Sequence, residues 1–277
     1  MKKIKSIQTI QTEIDGTSFI SEFLEYDKDG NMVVSIKYDA DGKVIEKTEN
    51  VYSDGKKITE KNYLSEDELA EEHHFEYDGN GKLLKEAIKY AEGYEAIRKF
   101  TRDEENRELR VEEVDEEGDT ESFTVHKFNE NEQLTEKAEF DHRGKLHTAI
   151  RLYYNDEGQV VRQEEFEKKM KKPVIVREYS FNENGDIKGM LVRNRKGKPI
   201  DKYTLEYDDE GRLLKQHSAQ SGTITHEYED GKLKKEIIAD ANGNIQSDNA
   251  FDYDEAGNII REKNQMVQKD FKIQYFE

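Results

Sequence analysis

Tyr207-Asp208-Asp209-Glu210-Gly211-Arg212-Leu213 recurs, with small changes, along almost the whole chain. Clear copies run Tyr26-Asp27 to Gly30, Tyr38-Asp39 to Gly42, Tyr77-Asp78 to Gly81, Phe140-Asp141 to Gly144 and Tyr253-Asp254 to Gly257. Looser copies run Tyr154 to Gly158 and Phe181 to Gly185. The pattern is an aromatic, Asp or Asn, two polar residues, Gly, one polar residue, then an aliphatic. Asp in the first turn position bonds the backbone two residues on, and Gly accepts a positive φ without strain from a Cβ. The unit therefore predicts a type I turn closed by a glycine bulge. In that hairpin Asp208 faces Arg212 and Tyr207 faces Leu213. The same reading pairs Tyr26 with Met32, Tyr38 with Val44, Tyr77 with Leu83, Phe140 with Leu146, Tyr154 with Val160, Phe181 with Ile187 and Tyr253 with Ile259. Each aromatic–aliphatic cross-strand pair contributes roughly 0.2–1 kcal/mol.

The spacing sets the architecture. Gly118, Glu132, Gly144 and Gly158 fall at intervals of 14, 12 and 14. Consecutive turns of a meander lie at opposite edges, so the repeat is a hairpin pair of about 26 residues with strands of roughly 8–10 residues. Even intervals put Tyr26, Tyr38 and Tyr52 on one face, and likewise Phe128, Phe140, Tyr154 and Phe166. The expected fold is all-β: a single continuous antiparallel meander of about 20 strands, forming a twisted or curled open sheet or spiral. A five-bladed propeller fits the arithmetic, but each blade needs two apolar faces.

Three segments break the rhythm, and insertions are expected there: 61–75, where Ser65-Glu66-Asp67-Glu68 resembles a helix-capping box, 90–112 and 166–174. Asn106 and Asn131 are expected to take the left-handed turn position where Gly is missing. The shorter Tyr52-Ser53-Asp54-Gly55 reads as a type I′ turn.

The 277-residue chain is 33% hydrophobic and 39% charged, with net charge -19. Such values border on disorder, but 15 Tyr and 12 Phe at regular spacing point to a repeat array with a thin core. The acidity disfavours nucleic acid and anionic membrane as partners. There is no cysteine. The basic start, Met1-Lys2-Lys3, is followed by no apolar run, so no signal peptide or membrane-spanning segment is read. A cytoplasmic location is expected, or a secreted or surface one if a leader was removed.

At Tyr207-Asp208-x-x-Gly211-Arg212-Leu213, Tyr77-Asp78-x-x-Gly81-Lys82-Leu83 and Tyr253-Asp254-x-x-Gly257-Asn258-Ile259 the chain resembles the YD-repeat, or rearrangement-hotspot repeat, family. The resemblance covers nearly the whole chain in degenerate copies, without the toxin-bearing C-terminal part. It implies a β-sheet spiral of the kind that encloses a toxin or binds carbohydrate. A weaker resemblance is to membrane-occupation-and-recognition-nexus hairpin repeats.

Candidate chemistry is sparse. His73-His74, flanked by Glu71, Glu72 and Glu76, suggests metal ligands, but adjacent strand residues point to opposite faces. Asp27-Lys28-Asp29-Gly30 and Asp39-Ala40-Asp41-Gly42 look like fragments of calcium loops and lack the closing Glu. Turn chemistry accounts for those aspartates. No phosphate loop, dinucleotide fingerprint or Gly-x-Ser-x-Gly occurs. The expectation is a non-enzymatic, cofactor-free binding or scaffold protein that contacts a protein or glycan. An immunity protein and an orphan segment of a larger toxin-enclosing shell are the alternatives. Function is expected where the turn pattern fails, at 61–75, 90–112 and 166–174, or on the aromatic face. The basic run Lys168–Lys172 reads as a solvated loop.

Overall fold

The computed structural model describes residues 3–168 and 171–276; Lys169 and Met170 of the basic run lie outside the described residues. The described residues form strands and turns only. In chain order the strands are β1 (Ile4–Glu13), β2 (Ser18–Tyr26), β3 (Met32–Tyr38), β4 (Val44–Ser53), β5 (Lys56–Tyr63), β6 (Leu69–Tyr77), β7 (Leu83–Tyr90), β8 (Glu95–Asp103), β9 (Glu108–Val114), β10 (Thr120–Phe128) and β11 (Leu134–Asp141). They continue as β12 (Leu146–Tyr154), β13 (Val160–Glu167), β14 (Ile175–Phe181), β15 (Ile187–Asn194), β16 (Pro199–Tyr207), β17 (Leu213–Ser218), β18 (Gly222–Glu229), β19 (Lys232–Ala239), β20 (Ile245–Tyr253), β21 (Ile259–Lys263) and β22 (Val267–Tyr275).

All belong to one 22-stranded sheet. β1 pairs with β2 on one side and with β22 on the other, from Ile4 opposite Tyr275 to Glu13 opposite Val267. The sheet therefore closes as an antiparallel β-barrel, not as the open sheet or spiral expected from the sequence. An open sheet would leave two rows of unpaired backbone donors and acceptors, and the β1–β22 ladder satisfies both.

The expected insertions are strands and turns. Residues 61–75 hold the end of β5, a turn and most of β6, with the Leu64 N–H bonded to the Glu68 carbonyl at 2.9 Å. No helix follows Ser65; its acidic neighbours fill the turn. Residues 90–112 span the end of β7, all of β8 and most of β9, and the described residues of 166–174 are the end of β13 and residues 168 and 171–174, which lie outside any strand. The left-handed positions fall one residue later than expected, on Arg107 (φ 51°) and Glu132 (φ 59°). Asp54 and Gly55 both have positive φ, as a type I′ turn requires.

The turn-flanking register is the one read from the sequence: Tyr207 opposite Leu213, Tyr26 opposite Met32, Tyr38 opposite Val44, Tyr77 opposite Leu83, Phe140 opposite Leu146, Tyr154 opposite Val160, Phe181 opposite Ile187 and Tyr253 opposite Ile259. One step further in, the register slips. Glu206 faces Lys215, so Leu214 is an extra residue on the outgoing strand. Val33, Ile45, Leu84 and Ile260 are the same extra residue in their hairpins. Each is a one-residue β-bulge.

These bulges overturn the single aromatic face. Lys37 faces both Glu22 and Glu46, which places Tyr26 and Tyr52 on its face of the sheet and Tyr38 on the other. Ala138 faces Val125 and Ala149, and Ala149 faces Phe166. Phe140 and Phe166 therefore share one face, and Phe128 and Tyr154 take the opposite one. One extra residue per hairpin shifts the two-residue period by one, so an even interval carries successive aromatics to opposite faces.

Two compact units can be distinguished, the first Met1–Ile97 with Tyr228–Glu236 and Ser247–Glu277, the second Arg98–Glu227 with Ile237–Gln246. The second unit has a small apolar core in which Ala138, Ala149 and Phe166 are buried and Phe140 and Leu146 pack against them. The alanines lie opposite each other, which leaves room for the phenylalanine rings. In the first unit Ile88 is buried beside a largely polar set, Thr9, Asn50, His73 and Glu86.

Candidate functional site

The repeat residues are occupied with turn closure. Asp27 Oδ1 accepts the N–H groups of Asp29 (2.8 Å) and Asn31 (2.9 Å), and the Gly30 N–H reaches the Asp27 carbonyl at 3.1 Å. Asp39, Asp78, Asp141, Asp208 and Asp254 each accept the backbone N–H four residues on. The side-chain amide of Asn31, with the backbone donors, holds the Asp27 carboxyl below the usual carboxylate range. Oxygens read as calcium-like are thus engaged with their own loop. Among the described residues no group of three or more His, Asp or Glu side chains is placed to hold a metal ion.

A second layer of contacts ties neighbouring turns together. Hairpins that begin on an even-numbered strand share one edge, here the even edge. Along it, Tyr52 donates its hydroxyl to the Met32 carbonyl (3.2 Å), Tyr77 to Lys57 (2.8 Å), Tyr154 to Leu134 (2.6 Å), Tyr207 to Ile187 (2.9 Å) and Tyr253 to Leu233 (2.7 Å). Each donor lies 20 residues after its acceptor. Met32, Lys57, Leu134 and Ile187 stand opposite the preceding even-edge aromatic, at the bulge. A bulge disrupts the ladder locally, and the tyrosine satisfies a carbonyl there. At the seam Tyr275 donates to Asp254 Oδ2 at 2.9 Å and accepts from Asn258 at 2.7 Å.

His73 and His74 point to opposite faces, as adjacent strand residues do. His73 is buried, with Nδ1 2.7 Å from Glu86 Oε1. Its Nε2 lies 3.2 Å from Glu71 Oε1, too poorly aligned for a hydrogen bond. Glu71 accepts from Asn62 at 3.1 Å, and Asn62 from the Thr48 hydroxyl at 2.8 Å. Burial alone lowers the pKa of His73, but the carboxylates of Glu86 and Glu71 outweigh it and the pKa is raised.

Concave regions are shallow. One of about 470 Å³ lies over β9–β11, lined by Val111, Glu113, Ser122, Thr124, Glu139 and Asp141 among others. Three of its carboxylates are engaged: Ser122 and Arg98 donate to Glu113, Thr148 to Glu139, and the Arg143 and Lys145 backbone N–H groups to Asp141.

The odd edge, where hairpins begin on odd-numbered strands, is different. In the first unit its successive hairpins display Met266, Ile14, Ile45 at the start of β4, Leu64 and Tyr94, which are 61%, 76%, 52%, 63% and 49% exposed. Between these tips stand Asp15, Asp41, Glu66, Asp67, Glu68 and Glu92, all exposed. In the second unit the loops β11–β12, β13–β14 and β15–β16 display Arg143, Lys145, Lys168, Lys171, Lys172, Arg195, Lys196 and Lys198, all exposed. No salt bridge forms to these eight among the described residues. Cations on the strands beside them do pair: Arg151 with Glu136 (2.5 Å), Arg162 with Glu164 (2.7 Å) and Glu178 (3.3 Å), and Arg193 with Glu178 (2.9 Å). Leu64, Tyr94, Lys168, Lys171 and Lys172 lie in the three segments where the sequence pattern breaks; Arg143, Lys145, Arg195, Lys196 and Lys198 lie outside them. Ile14, Ile45 and Met266 also lie outside them, and only the shared edge brings them into the set.

No family model and no curated protein matches the chain. Among solved structures it is similar to a porin-like protein from Bacteroides uniformis, at 10% identity and TM-score 0.33 over 98% of each chain. It is also similar to TcdB2-TccC3 in two structures, at 11% identity and TM-scores of 0.24 and 0.25, covering 93% and 95% of this chain and 22% and 21% of the other.

Proposed function

We propose that the chain is a non-enzymatic binding protein of YD-repeat-like type, and that the odd-edge loops of its first unit are the contact surface. The observation that supports this is the run Met266, Ile14, Ile45, Leu64 and Tyr94, exposed at successive hairpins and interleaved with carboxylates that form no salt bridge among the described residues. Exposed apolar clusters rimmed by polar residues mark interaction sites. Loops two strands apart are about 10 Å apart along the sheet, so the five loops extend roughly 40 Å, which suits a protein partner. The acidity between the tips favours a partner whose contact face mixes apolar and basic residues. It also favours the immunity-protein reading as the second choice, with a basic toxin as that partner.

The test is quantitative capture from lysate of the source cells, by the full chain and by the variant Ile14→Ser/Leu64→Ser/Met266→Ser. Capture of a defined protein by the native chain, reduced more than about tenfold by the variant, supports the reading. Equal capture by both removes this edge as the contact surface. Rescue of cells expressing a neighbouring toxin gene decides for the immunity reading.

A further inference from the structure

We propose that the protein self-associates, with the basic odd-edge loops of the second unit in one copy seating the apolar, acidic odd-edge loops of the first unit in another. Three observations carry this.

The first is a set of cations that form no salt bridge among the described residues, the Arg143 side chain donating only to the His142 ring at 3.0 Å. Arg143 and Lys145, then Lys168, Lys171 and Lys172, then Arg195, Lys196 and Lys198 stand exposed on three successive loops of one edge. These loops extend about 20 Å along the sheet. Arg151, Arg162 and Arg193 nearby are all paired, so these loops depart from the local rule. Concentrated, unpaired positive charge attracts a negatively charged surface.

The second concerns which surface fits. The net charge of -19 disfavours a long polyanion, which would extend beyond these loops. None of the eight cations has a Tyr or Phe beside it within its loop, so there is no platform for stacking unpaired bases. A compact acidic patch on a protein fits instead.

The third is that the chain itself carries such a patch. Asp15, Asp41, Glu66, Asp67, Glu68 and Glu92 are exposed and form no salt bridge among the described residues. They surround apolar tips that stand exposed to solvent. The basic loops offer an apolar counterpart in Pro199 and Ile200, both exposed. Each copy therefore owns both halves of a complementary contact.

The experiment is sedimentation equilibrium of the full chain at about 100 μM protein, in about 0.15 M and about 1 M salt. Association is expected at the lower salt and should weaken at least tenfold at the higher, where the Debye length falls from about 8 Å to about 3 Å. The variants Arg195→Glu/Lys196→Glu/Lys198→Glu and Glu66→Lys/Asp67→Lys/Glu68→Lys should each be monomeric with unchanged circular dichroism. Mixed, they should associate one to one, because each reversed loop now meets its opposite. A native chain that stays monomeric at 0.15 M salt overturns the inference, as does a mixture of the variants that fails to associate. The inference shares the apolar loops with the proposed partner site, but the first variant leaves those loops intact. Self-association lost with partner capture retained supports the inference alone. Partner capture absent even from the native chain counts only against the binding reading.

Discussion

Gly222 and Gly42 both take positive φ, at 98° and 79°, yet only one is sterically confined. A Cβ on Gly42 meets nothing within 4 Å, whereas on Gly222 it runs into the Ala239 carbonyl oxygen and comes within 2.6 Å of the Asp240 carbonyl carbon. Gly42→Ala should cost about 1–2 kcal/mol, the strain of the left-handed region. Gly222→Ala should cost about 3 kcal/mol or more, because backbone must move as well. Urea unfolding of the two variants checks the order. His73 sets a pH dependence. Its pKa is raised in the fold, so its contribution is fully present below the ordinary histidine value of about 6.5 and is lost as pH rises through the folded value. The native chain should lose stability relative to His73→Gln over that interval, read by urea midpoints at about pH 5.5 and 8.5. On the acid side the lowered carboxyls, Asp27 among them, act oppositely: their contribution is present above about pH 3.9 and is lost as pH falls through the folded value. The turn chemistry of Asp27 and Asp208 was legible because partner and acceptor lie within four residues. The His73–Glu86 contact was not, because only strand pairing brings β6 to β7.

At the level of elements, most hairpins of the repeat carry a bulge beside the turn, while β13–β14, β17–β18 and β21–β22 pair without one. The signal was present as two consecutive aliphatics after Gly-x: Val44-Ile45, Leu83-Leu84, Leu213-Leu214 and Ile259-Ile260. Two such neighbours do not both serve one face of a regular strand, and the bulge resolves the conflict. Reading only the even intervals missed it and merged two aromatic faces into one. The hydroxyl links of the even edge depend on that bulge and on which turns share an edge, so motif grammar alone does not show them. They predict a graded result. Tyr77→Phe, Tyr154→Phe, Tyr207→Phe and Tyr253→Phe should each destabilise by about 0.5–1.5 kcal/mol, by loss of one hydrogen bond with the ring retained. Tyr38→Phe, on the opposite face and with no such bond among the described residues, should be close to neutral in the same urea assay.

For the whole molecule, closure is the feature that the sequence left open. Turn identity is written in seven residues, but nothing in β1 or β22 marks them as partners. Both look like any other strand, and Ile4 and Tyr275 stand at opposite ends of the chain. The charge of the odd-edge loops was likewise visible loop by loop, while the edge that they share within each unit was not. Ending the chain after Lys263 removes β22 and turns β1 and β21 into free edges. Light scattering should then show concentration-dependent aggregation, since unprotected edges template further pairing. A truncated chain that remains monodisperse would mean that the strand ends are protected by something other than the ladder.

The same seam dictates a history for each folding event. The other described strand pairs join chain neighbours, and hairpins form in about 1–10 μs. Joining Ile4 to Tyr275 closes a loop of nearly the entire chain, at an entropic cost of roughly 5 kcal/mol. Refolding should show a fast phase from the hairpins and a slow phase from the join, with only the slow one sensitive to changes in β1 or β22. The ring is thus held closed by one strand pair, a ladder of nine residue pairs from Ile4–Tyr275 to Glu13–Val267.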